Sequence, residues 1–384
     1  MKTKVILLAV LSSLFLCGCI TEFEATGIGI VADILVVEGN IVDDESAIVL
    51  SRSVSIMDNK DIGYTYVDNA VVCVECDDGT QFHADEDSNA ENPRSRSGRY
   101  IIETGKLNPE RQYRLKIELE GNEYCSEFLH PMDTPEMDSV FWTKKGKGEP
   151  VNIYVATHAP DGMAQYYLWS YREDWEARAK IIMADTLNPY VCSKSSKSRE
   201  LLLGTTERNA LGRLTELIVE IPPDNDRLTH LYRIDVSQNA ISKRAYDYYS
   251  NIKKNSQQTG GIMAHIPSEL KGNITCTTDS ELIVVGYVDV SSTTRKRMYI
   301  YCEGLIEGYY SDSECIIIPA RDLERRYNYN IPPEYQFIFQ YSSYALRRCI
   351  NCAIEGGRSI FELEDWPFQY AKEGWYIRYF ENLK

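Results

Sequence analysis

The residues best able to do chemistry in this chain are cysteines, and two pairs have the C-x-x-C spacing, Cys73 with Cys76 and Cys349 with Cys352. That spacing serves redox exchange or metal binding when both sulfurs converge. The first pair lies in NAVVCVEC, a strand-like run, where residues three apart point to opposite faces about 10 Å from each other. It can neither bridge itself nor share an ion. The second pair lacks the preceding strand and following helix of a thioredoxin-like motif. It supplies two of the roughly four ligands a structural zinc needs, to which Cys302 and Cys315 would have to add. Structural disulfides involving Cys315, Cys349 or Cys352 are the expected use, and Gly356-Gly357 permits a tight loop beside them.

Other catalytic constellations are thin. There is no G-x-S-x-G, H-E-x-x-H, Walker loop or dinucleotide fingerprint. The 5 histidines, His83, His130, His158, His230 and His265, are scattered singly. Ser250 with Lys253 and Ser268 with Lys271 match S-x-x-K without the companion motifs of penicillin-binding enzymes. Asp174 with Glu176, and Asp224 with Asp226, are carboxylate pairs that would serve a glycosidase only at the right separation. The acidic loop from Asp85 to Asn89 begins like a calcium loop, but Ala90 stands where the sharp turn wants Gly and Arg96 where a bidentate Glu is needed. No catalytic residue, metal or cofactor is expected, and the chain reads as a non-enzyme. Tyrosine clusters at Tyr166-Tyr167 and Tyr246 to Tyr249 suit either a partner surface or half-buried packing, and packing is the expectation.

The amino terminus carries chemistry of another kind. Lys2 and Lys4 precede an uncharged run from Val5 to Cys17, the pattern of a secretory signal and too short for a membrane span. Leu16-Cys17-Gly18-Cys19 resembles the bacterial lipobox, which makes Cys19 the expected first mature residue, carrying diacylglycerol on its sulfur. Two acyl chains on one residue give stable anchoring where one does not. Glu22 and Glu24 resemble the signal that sends such lipoproteins of Bacteroidetes-type bacteria to the outer leaflet, so the expected location is the outer membrane, facing the exterior. Of 11 cysteines, Cys17 leaves with the signal and Cys19 is lipidated. The remainder, Cys73, Cys76, Cys125, Cys192, Cys276, Cys302, Cys315, Cys349 and Cys352, is odd in number, so at least one thiol stays free.

Composition fits an exported, folded protein, with 384 residues, 43% hydrophobic and 26% charged. Losing Lys2 and Lys4 takes the net charge from −16 to −18, which makes nucleic acid a poor partner.

The elements that must position these residues are mostly strands. Residues 34–133 hold short alternating runs at the spacing of an immunoglobulin-like or carboxypeptidase-regulatory-like β-sandwich. Tyr113, Leu115, Ile117 and Leu119 alternate with Arg114, Lys116, Glu118 and Glu120, and Glu120-Gly121-Asn122 turns the chain into a hairpin partner. Cys125, on that partner, is the candidate bridge for Cys73 or Cys76. His130 to Pro135 is the expected boundary, after a signal at 1–18 and a tether at 19–33. Residues 134–384 form a larger β-rich domain in which VNIYVATHA and QYYLWSYREDWEAR pair across Pro160-Asp161-Gly162, and ELIVVGYVDVSS pairs with RKRMYIYCEGL. One helix packs there, from Ser242 to Asn255, with Ser242 as its cap. Asp138-Ser139-Val140 and Asp185-Thr186-Leu187 resemble a short glycosylation motif of exported proteins.

LYRIDVSQNAISKRAYDYYSNIKKNSQQTGG, PSELKGNITC, VVGYVDVSS and CINCAIEGG with Asp365-Trp366-Pro367 together resemble a Bacteroidetes lipoprotein family. Its domain of unknown function is numbered four-two-four-nine in the usual series. The resemblance covers nearly all of the mature chain. It departs at Leu363 to Pro367, where the family more often has Lys-Pro-Asp-Phe-Trp. Membership implies a non-catalytic accessory role beside a TonB-dependent outer-membrane receptor in nutrient uptake, with no catalytic residues to carry over. A secreted glycan- or peptide-acting hydrolase and a structural or adhesive surface protein are the alternatives.

Overall fold

Alternation of apolar and polar residues builds a mainly β protein around two separate cores. The computed structural model describes residues 33–53, 65–86, 98–159, 164–181, 191–207, 209, 211–223, 225–258, 272–302, 315–359 and 366. Cys19, Leu16, Cys17, Gly18, Glu22 and Glu24 lie outside them, as do Asp87 to Asn89, His265, Ser268 and Asp185 to Leu187.

The first stretch forms β1 (Leu35–Glu38), β2 (Ile41–Val42), β3 (Asp44–Arg52), β4 (Thr65–Tyr66), β5 (Val71–Cys76), β6 (Gln81–Glu86), β7 (Arg99–Gly105), β8 (Tyr113–Leu119) and β9 (Asn122–Ser126). Then come β10 (Met137–Thr143), β11 (Val151–His158), β12 (Tyr166–Arg178), β13 (Val191–Lys197), β14 (Leu202–Thr205), β15 (Arg213–Ile221) and β16 (Leu231–Ala240). Helix α1 (Lys243–Gln258) is followed by β17 (Ile274–Cys276), β18 (Val284–Gly286), β19 (Val290–Ser291) and β20 (Thr293–Tyr301). The last layer is β21 (Ile318–Pro319), α2 (Ala320–Arg326), β22 (Tyr335–Ile338), β23 (Ser343–Leu346), α3 (Arg347–Ile350) and β24 (Arg358–Ser359).

The first core is sandwich-like. β6 turns its corner, pairing with β5 at His83 and with β7 from Ala84 onward, so the strands fold over one another around Ile48, Leu50, Val74, Ile102 and Ile117. The β8–β9 hairpin forms as its residues dictate: Leu119 faces Asn122, and Glu120 and Gly121 take φ of 52° and 82°, the left-handed pair of a tight turn matched to strand twist. Tyr113, Leu115, Ile117 and Leu119 are the buried set. Chain order does not bound this core. β17 adds to β9, and β18 adds parallel to β1, so Ile274, Cys276, Val284, Val288 and Val290 complete it from far along the sequence.

The second core lies between a three-stranded sheet, β10-β11-β15, and a six-stranded sheet, β20-β16-β12-β13-β24 with β14 on β12. Val151, Ile153, Val155 and Ile221 meet Tyr167, Trp169, Tyr232 and Val236. Gln238, fully buried, accepts from Trp169 Nε1 at 2.8 Å and donates to Pro135 O and Thr157 Oγ1, so its own amide and the Trp169 indole are satisfied.

Two expected strand pairs do not form. β11 pairs with β10 and β15, whereas β12 pairs with β13, β14 and β16 in the facing sheet. VVGYVDVSS breaks into β18 and β19, which join the first core, while β20 pairs with β16. Alternation states that a strand has a face to bury; it does not state against which sheet.

Helix α1 forms where expected. Ser242 Oγ accepts the Ala245 N–H at 3.1 Å, and Asp289 Oδ2 accepts the Ser242 N–H at 2.6 Å. Ala245 and Tyr248 pack with Tyr166, Ile241 and Tyr287, and Tyr249 donates to Tyr287 O. The two tyrosine clusters are thus packing residues, Tyr166 and Tyr246 meeting ring to ring at 5.0 Å. Arg244 on the same helix pairs with Glu127 beside the first core.

Candidate functional site

Of the sequence-marked carboxylates, Asp174 and Glu176 lie on β12, beside Glu173, which carries no motif, and Asp226 lies between β15 and β16. Successive strand residues face opposite ways, so Glu173 points into the second core and Asp174 away from it. Glu173 accepts from Arg227 Nη1 at 2.8 and 3.0 Å and from Tyr232 OH at 2.8 Å. Asp174 sits across from Ser195 on β13 and Arg233 on β16. It accepts from Ser195 Oγ at 2.5 Å, from Arg233 Nη2 at 2.7 Å and from Arg172 Nη2 at 3.2 Å. Burial alone would raise the Asp174 carboxyl, but the Ser195 hydroxyl and the two guanidiniums outweigh it and hold it below the usual carboxylate range. A carboxylate held ionised in this way is no proton donor near neutrality. Glu176 is bound to Arg178 at 2.5 Å, and Asp226 Oδ2 to Lys194 Nζ at 3.0 Å. Asp224 lies outside the described residues.

The cysteines resolve into two bridges, Cys192–Cys352 and Cys315–Cys349. Members of the second C-x-x-C therefore bond to different distant partners rather than to each other. Cys349 comes from α3 and packs with Ile181, Ile338, Ala345 and Ile350. Gly357 permits the crossing at the other bridge, since a Cβ there would lie 2.6 Å from Cys192 Cβ and 2.5 Å from Cys352 O. The remaining candidates, Cys73, Cys76, Cys125, Cys276 and Cys302, are buried and form no disulfide.

A bridge from Cys125 to Cys73 or Cys76 is therefore not formed. Lys116 lies opposite both Cys73 and Cys125, so a whole strand separates those sulfurs, and Cys76 is on the other face. Cys276 neighbours Cys125 but faces the core with Tyr124. Burial raises the thiols of Cys73, Cys76 and Cys125, the last to about 11, which leaves them as inert packing residues.

The bridges dock a C-terminal layer, β21-β23-β22 with α2 and α3, onto the end of the six-stranded sheet. One face of this layer is buried through Ile338 and Ala345. On the opposite face Phe337 meets Tyr344 at 5.1 Å and Phe339 at 5.0 Å, and Tyr327 meets Tyr335 at 6.1 Å. Phe339 is 87% exposed and Tyr329 75%, with Tyr341, Ile316 and Ile317 also exposed. Residues 315–359 carry six arginines against four acidic residues in a chain of net charge −16. The layer thus combines exposed aromatic and aliphatic side chains with a local excess of arginine.

Beneath that layer is a cavity of about 40 Å³ lined by Arg178, Lys180, Lys194, Arg348, Asp226 and His230, with Cys315 and Cys352 at its wall. Burial, then the charges of Arg178 and Lys180, push His230 down to about 4. The folded state prefers the neutral ring, so its contribution to stability is full above the ordinary value near 6.5 and is lost as pH falls from there toward 4. An NMR titration is expected to give His230 a midpoint of about 4, and one near 6.5 would show the cavity to be solvated and electrically neutral.

The other histidines are dispersed. His83 is exposed on β6, His130 Nδ1 lies 3.1 Å from Arg111 O, and His158 Nδ1 lies 2.6 Å from Asp138 Oδ1. Ser139 is half-buried on β10, and Ser250 and Lys253 lie on α1. The cavity cations and the exposed aromatics carry no sequence motif. The sole hint was the concentration of Arg and aromatic residues between two cysteine-bearing segments.

Fold and site together define a mainly β, two-core protein with a disulfide-docked C-terminal layer. Among the described residues, no group of three or more His, Cys, Asp or Glu is placed to hold a metal ion. The family model for a domain of unknown function, DUF4249, matches residues 20–297, and the chain belongs to that family. Among curated proteins none matches it. The C-terminal layer lies beyond the matched residues.

Proposed function

We propose that the protein is an outer-membrane lipoprotein, anchored through acylated Cys19 and displayed outward by Glu22 and Glu24, that serves a TonB-dependent receptor as a non-catalytic binding subunit in nutrient uptake. The observation that carries this reading is the exposure of Phe339, Tyr329 and Tyr341 on the arginine-rich C-terminal layer. Aromatic residues with arginine are the side chains that anchor protein interfaces, and the surrounding acidic chain would repel a like-charged partner everywhere else. The lipobox supplies the membrane address, and family membership supports the accessory role. The two sandwich-like cores then act as a rigid stalk and platform.

An affinity-tagged copy isolated from outer membrane is expected to begin at a diacylated Cys19 and to bring a receptor with it. The double substitution Tyr329→Ala and Phe339→Ala is expected to reduce the retained receptor at least tenfold at unchanged thermal stability. Equal retention by the variant would remove the face from the interface. An unlipidated N-terminus, or no receptor with either form, would overturn the reading.

A further inference from the structure

One face of the sheet β10-β11-β15 covers the second core, and the strand register sets the rows of side chains on its outer face. Phe141, Tyr154 and Leu217 stand abreast in one row. Phe141 and Tyr154 stack at 5.5 Å, and Phe141 is 36% and Leu217 43% exposed. The next row holds the smaller Ser139, Ala156 and Thr215. Beyond the small row Arg213 lies opposite His158, which is bonded to Asp138. Beyond the large row Asn152 lies between Thr143 and Glu220. The register shift between Ile153 and Tyr154 shapes this face, since the extra residue Ile218 lets both Leu217 and Glu220 point outward. Arg213 and Glu220 are exposed, and neither is paired with an opposite charge among the described residues.

We propose that this face is the contact between two copies of the chain, packed sheet on sheet about a two-fold axis that lies between them and runs across the strands. Such a contact sets each row against its reversed counterpart. With the axis over Val155, which is level with Val140 and Glu216, the large row of one copy lies on the small row of the other. Phe141 then covers Ser139, Tyr154 covers Ala156 and Leu217 covers Thr215. Large against small is how facing layers interdigitate at native density. The same operation sets Arg213 of each copy against Glu220 of the other, so opposite charges close both ends of the contact. The rows cover about 10 Å by about 20 Å of sheet, well short of the roughly 800 Å² per partner in a standard complex. Dimers are therefore expected to dissociate between about 1 µM and 1 mM. The contact does not depend on the receptor reading, whose residues lie on the C-terminal layer at the end of the other sheet.

The test uses the mature chain carrying Cys19→Ser, which takes no acyl group. Sedimentation equilibrium across that concentration range is expected to fit a monomer–dimer transition. Arg213→Glu alone, or Glu220→Arg alone, sets like charges against each other at both ends and is expected to weaken dimerisation at least tenfold. The two together restore opposite charges and are expected to bring it back to within about threefold of the starting chain. Both side chains are exposed, so the melting temperature of the monomer is expected to stay unchanged in all three variants. A chain that stays monomeric up to about 1 mM would leave the face to some other occupant and overturn the proposal. So would dimers that form equally in every variant, or single-variant losses that the double reversal does not recover.

Discussion

Asp174→Ala is expected to destabilise the protein by about 3–5 kcal/mol, because it takes the nearest acid from a buried guanidinium. The Asp174 side chain is 0% exposed and that of Arg233 5%, and the two meet at 2.7 Å from neighbouring strands. The half-exposed Asp235 is a weak substitute, since its Oδ2 lies 3.4 Å from Arg233 Nε and its Oδ1 is bound by Arg297. Arg233 also lies over the ring of Trp366, its Cζ 5.6 Å from the centroid, so it cannot swing to solvent without breaking that stack. Ser195 would lose its acceptor as well. Replacing both partners, Asp174→Leu with Arg233→Met, is expected to recover most of the loss, since two apolar side chains leave no charge unpaired. The pH dependence has a definite sign. The Asp174 carboxyl titrates below its ordinary value of 3.8, so its contribution is present above that value and is lost as pH falls through the lower folded one. Urea unfolding at neutral and acid pH reads all three expectations. A loss under about 1 kcal/mol for Asp174→Ala would mean that Arg233 finds another anion at no cost.

The second large effect concerns the C-terminal layer. Cys192–Cys352 spans 160 residues and Cys315–Cys349 spans 34. In the chain-entropy account these loops confer about 5 and about 4 kcal/mol by restricting the unfolded chain. Cys192→Ser with Cys352→Ser is therefore expected to cost roughly 1 kcal/mol more than Cys315→Ser with Cys349→Ser. The loss should begin locally. The layer is held by a short pairing of β24 to β13, by the backbone bond from Ile181 N to Cys349 O, and by the small cluster around Ile338. Limited proteolysis of the Cys192–Cys352 variant is expected to cut within residues 315–359 before either core opens. Uniform resistance, or equal losses for the two variants, would show that strand pairing rather than the bridges holds the layer.

Some of this was legible in the residues themselves, and some was not. The β8–β9 hairpin could be read because its register follows from two adjacent residues, Glu120 and Gly121, that accept left-handed backbone. Helix α1 could be read because Ser242 and the spacing of Ala245 and Tyr248 act within a turn or two. The opposite facing of Cys73 and Cys76 followed from strand geometry alone. All are local consequences of bond angles, hydrogen bonding and side-chain periodicity.

The strand partners of β11, β18 and β20, the pairing of Cys192 with Cys352, and the meeting of Arg178, Lys194 and Arg348 at one cavity were decided elsewhere. Each depends on which layer comes to lie over which. The alternation of a strand leaves that choice open, because any apolar face of similar width would bury it equally well. The amino-acid sequence thus determined that the chain would be β-rich, where it would turn, where its helix would begin and which family it belongs to. Only the tertiary structure, by closing two cores and laying the last segment across the second, could bring Arg178, Lys194 and Arg348 from distant segments to one cavity.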